Sequence, residues 1–249
     1  MAVGRGKVVE PMDLLQRAVT VLVPMILSLS VHEYAHARAA YALGDDTAAR
    51  SGRMNLNPMS HIDPFGTLLL PIVLLLSGSG FFFGWARPVP INPVRFSRRL
   101  TMKTGVLLTA AAGPASNVAF ALLLGLAYTV MRATGVTEVP FWVVITNQGA
   151  QWASMTGQAV SPLLQLMGMT FLINVILAIF NLIPVPPLDG SRVLTGLLPD
   201  RLGERYAYLE RNPIFVMLAF AVLIFGAGRF LHVPVLWMVR GLLFLTGNG

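Results

Sequence analysis

Residues 28–44 read SLSVHEYAHARAAYALG. The stretch holds two of the chain's four histidines, with a glutamate directly after the first. Positions i and i+4 share one face of a helix. His32 and His36 can therefore present two imidazoles to one ion, with Glu33 beside them as a general base. This is the HExxH arrangement. The stretch continues a run of Val, Leu, Ile and Met, so the helix that carries it is apolar. A carboxylate at membrane depth costs about 3 kcal/mol or more when unpaired, and a pair of interfacial histidines leaves that cost unexplained.

Working outward, the whole chain has the same character. Of 249 residues, 55% are hydrophobic and only 12% charged, with a mean hydropathy of +0.68. Soluble domains carry about 25% charged residues, so too little charge remains to cover a water-facing surface. The composition implies an integral membrane protein in contact with the lipid bilayer. The net charge of +7 suits basic loops against anionic lipid. No nucleic-acid partner is implied, because the basic residues are spread between apolar spans and form no single face. With no cysteine, any metal site must use His, Asp and Glu. No small-residue cleavage site follows the N-terminus, so the first apolar segment is expected to be retained.

Long apolar segments lie at about 14–43, 104–132, 163–185, 212–229 and 233–247, and a sixth, 65–83, is interrupted by SGSG at 77–80. About 20 residues cross the hydrocarbon, so the first three qualify readily. The last two are short. Between the first span and residue 104, SGRMNLNPMSHIDPFG (51–66) and FFFGWARPVPINP (81–93) alternate like short strands punctuated by turns. The expected fold is an all-α polytopic membrane protein. It has about five to six transmembrane helices and a small re-entrant β element between the first and second full spans. Residues 1–249 form a single domain, with a core at about 14–195 and two additional short spans at about 212–247.

Catalytic zinc usually takes three protein ligands and keeps one position open. The candidate third ligand is Asp189 in FNLIPVPPLDGSR (180–192), at the end of an apolar span. Pro184, Pro186 and Pro187 prevent helix there. Non-helical backbone at membrane depth requires burial in protein or a wet cavity, so the segment predicts a cavity with free carbonyls. On another reading the third ligand is a later glutamate, Glu204 or Glu210, both in the polar stretch LPDRLGERYAYLERN (198–212). A third element is AAGPASNVAFALL (111–123), whose small residues let helices approach closely. Asn117 would face the interior, where its amide could bond a substrate carbonyl or an oxyanion. His61 and Asp63 read as part of a turn before Pro64, and His232 has no assigned role. Trp85, Trp142, Trp152 and Trp237 read as interface anchors.

HEYAH on one apolar helix, GPASN opening a later one and NLIPVPPLDG closing a third resemble the site-2 protease family of intramembrane zinc metalloproteases. The resemblance covers about 14–195 and points to a compact bacterial branch without PDZ or CBS domains. It implies one Zn2+ per chain, bound by His32, His36 and Asp189, with Glu33 as base for an attacking water. It also implies an active-site role for Asn117, and matches Asn181 to the Asn that opens the proline motif. Asn181, Pro184, Pro186 and Pro187 are the expected substrate-binding positions. The implied activity is hydrolysis of peptide bonds within or near transmembrane segments of membrane-protein substrates. The alternative is a non-proteolytic scaffold or transporter that retains a metal site. The implied location is a bacterial inner membrane with the active site toward the cytoplasm.

Charge alone does not orient the spans, because two topologies give equal counts of inside Lys and Arg. The site does. HEYAH, GPASN and Asp189 meet at one depth only if the chain between the first two spans starts and ends on the same side. Segment 65–83 is therefore expected to be re-entrant, turning at SGSG, with an extracytoplasmic N-terminus. A substrate would bind as an added strand along 51–58, 81–91 or Pro184–Leu188.

Overall fold

The computed structural model describes residues 11–77, 83–146 and 148–248. The helices are α1 (Pro11–Ala42), α2 (Thr47–Arg50), α3 (Leu70–Leu76), α4 (Met102–Ala133), α5 (Phe141–Ile145), α6 (Gly149–Thr156), α7 (Pro162–Asn181), α8 (Asp189–Leu197), α9 (Asp200–Glu210), α10 (Pro213–Phe230) and α11 (His232–Leu245). Among the described residues there is no strand. Three helices among the described residues are long and apolar enough to cross a membrane: Leu15–Ala42 of α1, α4 and α7. They pack on one another as a three-helix core. Tyr128, Phe141, Phe171 and Val175 gather with Val239 and Leu242 of α11 in one buried apolar cluster.

Several elements start in the same way. Asn57, Asp63, Asn92 and Asn212 each precede a proline, and each side chain accepts the N–H two residues on. Proline presets the first helical φ, and the short polar side chain replaces the missing backbone partner.

The expected small β element is where the structure departs from the sequence reading. Segments 51–58 and 83–91 are irregular. Pro58, Pro88 and Pro90 lack the N–H a ladder needs. The alternation is still there in part. Trp85 N–H donates to Gly66 O (3.2 Å) and Arg87 N–H to His61 O (2.9 Å), so every second residue is fastened on one side. Pro64–Leu69 forms a π-type turn that runs into α3. Together they are about 20 Å long, short of the ~30 Å hydrocarbon core. The SGSG turn expected at 77–80 falls largely outside the described residues.

The ends of this excursion meet. Ser97 N–H donates to Leu43 O (2.6 Å), and Asn92 N–H to Asp45 Oδ2 (2.6 Å). Arg95 pairs with Asp46 (2.8 Å). The chain therefore leaves α1 and enters α4 at the same end of the bundle.

Candidate active site

His32 and His36 lie one turn apart on α1, their ring planes 87° apart and centroids 4.6 Å apart. Asp189 is the first residue of α8, placed just beyond the end of α7. Its Oδ2 lies 3.1 Å from His32 Nε2 and 3.2 Å from His36 Nε2, and the two Nε2 atoms are 3.0 Å apart. All three residues are nearly buried. Glu204 and Glu210 are not part of this cluster.

The outer ring nitrogens decide what the inner ones carry. His36 Nδ1 is 2.7 Å from Thr109 O. A carbonyl only accepts, so Nδ1 holds the proton and Nε2 a lone pair. His32 Nδ1 donates in the same way to Asn117 Oδ1 (2.6 Å). With both rings neutral, two imidazole lone pairs and a carboxylate oxygen converge. That arrangement is repulsive unless a cation sits among them. Two N and one O ligand with bonded outer nitrogens suit a catalytic zinc.

Two glycines make this convergence possible. A Cβ on Gly113 of GPASN would stand 2.4 Å from His36 Nε2 and 2.6 Å from His32 Cε1. A Cβ on Gly190 of LDG would stand 2.3 Å from Leu182 O. Each motif glycine lets a backbone come closer than any side chain allows.

Glu33 faces a largely apolar cavity of about 740 Å³, lined by His32, His36 and Asp189 together with Phe83–Ala86, Val89, Phe180 and Phe220. Its Oε2 accepts Val89 N–H (2.8 Å). Its Oε1 has no bond among the described residues.

The other expected site residues distribute unevenly. Asn117 is fully buried behind His32 rather than lining the cavity. Its carbonyl takes His32, and its amide donates to Asn174 Oδ1 (2.7 Å). It is therefore not placed for an oxyanion. Asn181 and Pro187 line the cavity, whereas Pro184 and Pro186 do not. Pro184–Leu188 is a chain of tight turns, not an extended strand. Three of its five carbonyls are taken: Pro184 O by Tyr206 Oη (2.7 Å), Val185 O by Leu188 N and Leu188 O by Ser191 N. Burial, and then Glu210, raise the Tyr206 hydroxyl above its ordinary pKa, so it stays a donor. His61 is buried against Asn55 O (2.8 Å) and Asp63 caps the turn at Phe65, in keeping with the turn expected before Pro64. Trp85 lines the cavity over Gly66, beyond the anchoring role expected of it.

Sequence reasoning missed Thr109, Val89, Ser28 and Asn174. Backbone groups at Thr109 and Val89 carry no sequence signature. Asn174 does carry one, as an amide inside an apolar 20-residue helix, since polar groups at membrane depth are costly and seek partners.

Residues 94–225 match the family described as Peptidase family M50. The chain is 36% identical over 206 residues to "Putative zinc metalloprotease YwhC" of Bacillus subtilis (strain 168), covering 83% of this chain and 81% of that protein. It is 30% identical over 189 residues to "Putative zinc metalloprotease Rip2" of Mycobacterium tuberculosis (strain ATCC 25618 / H37Rv), covering 76% of this chain and 61% of that protein. No solved structure matches.

Proposed function

From the premise that the chain belongs to Peptidase family M50 and is a membrane zinc metalloprotease, we propose that it cleaves peptide bonds within or near transmembrane segments of membrane-protein substrates. The observation that carries the reading is the convergence of His32, His36 and Asp189 beside Glu33 in a cavity among apolar helices.

His32 Nε2, His36 Nε2 and Asp189 would hold one zinc. When bound there, zinc supplies Lewis-acid polarisation of a carbonyl and activation of water. Glu33 supplies the proton transfers. Val89 N–H holds Oε2, so Oε1 is the oxygen that takes a proton from the attacking water. The same atom returns it to the leaving amine. Asn117 acts from behind His32 and does not touch substrate.

A helical peptide bond is shielded by its own hydrogen bonds, so the substrate must unwind before attack. Segment 84–91 offers it an edge. Its odd-numbered N–H groups are fastened at Trp85, Arg87 and Val89, while Ala86 lines the cavity with its N–H and C=O unclaimed among the described residues. An unwound strand added here passes Glu33. Phe83, Phe180 and Phe220, with rings 5.7 Å apart around Phe83, give it an apolar wall.

Residues 1–249 act as one domain on this reading. Segment 65–83 is re-entrant, supported by the contact between Ser97 and Leu43, and α10 and α11 complete five to six membrane helices. Arg38, Arg53, Arg98, Arg99 and Lys103 gather at the end of α1 and the start of α4. Under the positive-inside rule that end, and the active site, face the cytoplasm of a bacterial inner membrane.

Metal content and cleavage of a model transmembrane substrate test the assignment. Wild type should hold about one zinc per chain, and Asp189→Ala should lose it. Glu33→Gln should keep zinc and lose cleavage by at least ~100-fold. Zinc retained in Asp189→Ala, or full activity in Glu33→Gln, removes the corresponding role.

A further inference from the structure

His32 is held by more than Asn117. Asn117 Nδ2 donates to Asn174 Oδ1 (2.7 Å). Asn174 Nδ2 donates in turn to Thr170 O (2.8 Å) and to Ser28 Oγ (2.8 Å). Ser28 Oγ–H donates to Pro24 O (2.7 Å). Asn117, Asn174 and Ser28 are each 0% exposed, so water does not compete.

The chain of bonds has a direction. Its far ends are two backbone carbonyls, Thr170 O and Pro24 O, which can only accept. Pro24 O takes the Ser28 hydroxyl proton, leaving that oxygen as an acceptor. The NH2 end of Asn174 must then face Thr170 and Ser28, and its Oδ1 must face Asn117. Asn117 answers with its own NH2 and turns its Oδ1 to His32. His32 Nδ1 keeps the proton, and Nε2 is left with a lone pair facing His36 and Asp189. Asn117 Nδ2 also lies 3.5 Å from Ser28 O, too long a contact to hold the amide by itself. An amide is nearly symmetric in shape, so packing alone does not stop Asn117 from turning over. Turned over, it would present NH2 to His32 Nδ1 and move the ring proton to Nε2, into the ligand triangle.

We propose that Asn174 is a positioning residue of the metal centre, which fixes the metal-binding tautomer of His32 through Asn117. The α7 helix thereby sets the chemistry of a ligand on α1 that Asn174 does not touch. The inference rests on the zinc-protease reading above.

The test measures zinc affinity of the purified full-length protein in detergent by chelator competition, with thermal melting of the metal-free protein as a folding control. Asn174→Leu should weaken zinc binding by ~10- to 100-fold, and Asn117→Ala by a similar factor. The double variant should be no weaker than Asn117→Ala, because both act through one path. Asn174→Asp keeps an oxygen for Asn117 to donate to, so it should lose less zinc affinity than Asn174→Leu. The visible absorption of the cobalt-loaded protein should change more in Asn174→Leu than in Asn174→Asp. If Asn174→Leu does not fold, Asn174→Ala carries the test in its place, with the same loss of zinc affinity expected and wild-type affinity overturning the proposal. Wild-type affinity in Asn174→Leu, multiplicative losses in the double variant, or equal losses for the Leu and Asp variants would overturn the proposal. Failure of wild type itself to bind zinc would instead overturn the protease reading.

Discussion

Gly113 of α4 faces the ligand atoms, with space for no side-chain carbon between it and His36 Nε2. Gly113→Ala should therefore push the imidazoles apart and reduce zinc affinity at least ~10-fold. Gly241→Ala, whose methyl would meet nothing, should leave it unchanged; chelator competition on both variants checks this. At this scale the sequence was unevenly legible. The i, i+4 spacing of His32 and His36 and the glutamate between them state their chemistry outright. Asp189 could be chosen because a carboxylate at the end of an apolar span needs a partner. Asn117 was read as an amide aimed at a substrate carbonyl or oxyanion, and in the structure its oxygen meets the ring of His32. A side-chain amide bonds equally well to a substrate oxygen or to a ring N–H, and only the packing of α4 on α1 shows that the ring is what it meets.

The segment 84–92 is the element whose role depends most on its anchors. One end is fastened by Asp45, which is buried and accepts Asn92 N–H, Thr47 N–H (3.0 Å) and the Thr47 hydroxyl. The middle delivers Val89 N–H to Glu33. Asp45→Ala leaves two backbone donors without partners. It should destabilise the protein by about 2–4 kcal/mol in denaturant titrations. It should also lower cleavage while zinc content stays at wild-type level, since no zinc ligand is disturbed. If cleavage is untouched, the segment does not position Glu33. The sequence foresaw a non-helical excursion here from its Asn, Pro and Gly content. It did not foresee that the prolines would leave a one-sided strap instead of a sheet, because period-2 alternation reports side-chain faces and not whether a partner strand is present.

Across the whole molecule, α1 and α7 run one way and α4 the other, so the end of α1, the start of α4 and the end of α7 share one face. The chain has no cysteine, and single cysteines can report this arrangement. Ser51→Cys and Arg98→Cys should react with a membrane-impermeant reagent from the same side, and Val136→Cys from the other. Reaction of Ser51→Cys and Arg98→Cys from opposite sides would mean that the intervening segment crosses fully. By itself the sequence determined the membrane class, the three long spans, the HExxH pair and its carboxylate partner. Each of these follows from local spacing or from a length of apolar chain set against the bilayer thickness. Tertiary structure alone decided which carbonyls fix the histidine tautomers, that Val89 holds Glu33, and that Asn174 reaches His32 through Asn117. Those depend on hydrogen-bond direction between residues 56 to 146 positions apart, and direction at such separations exists only once the helices have packed.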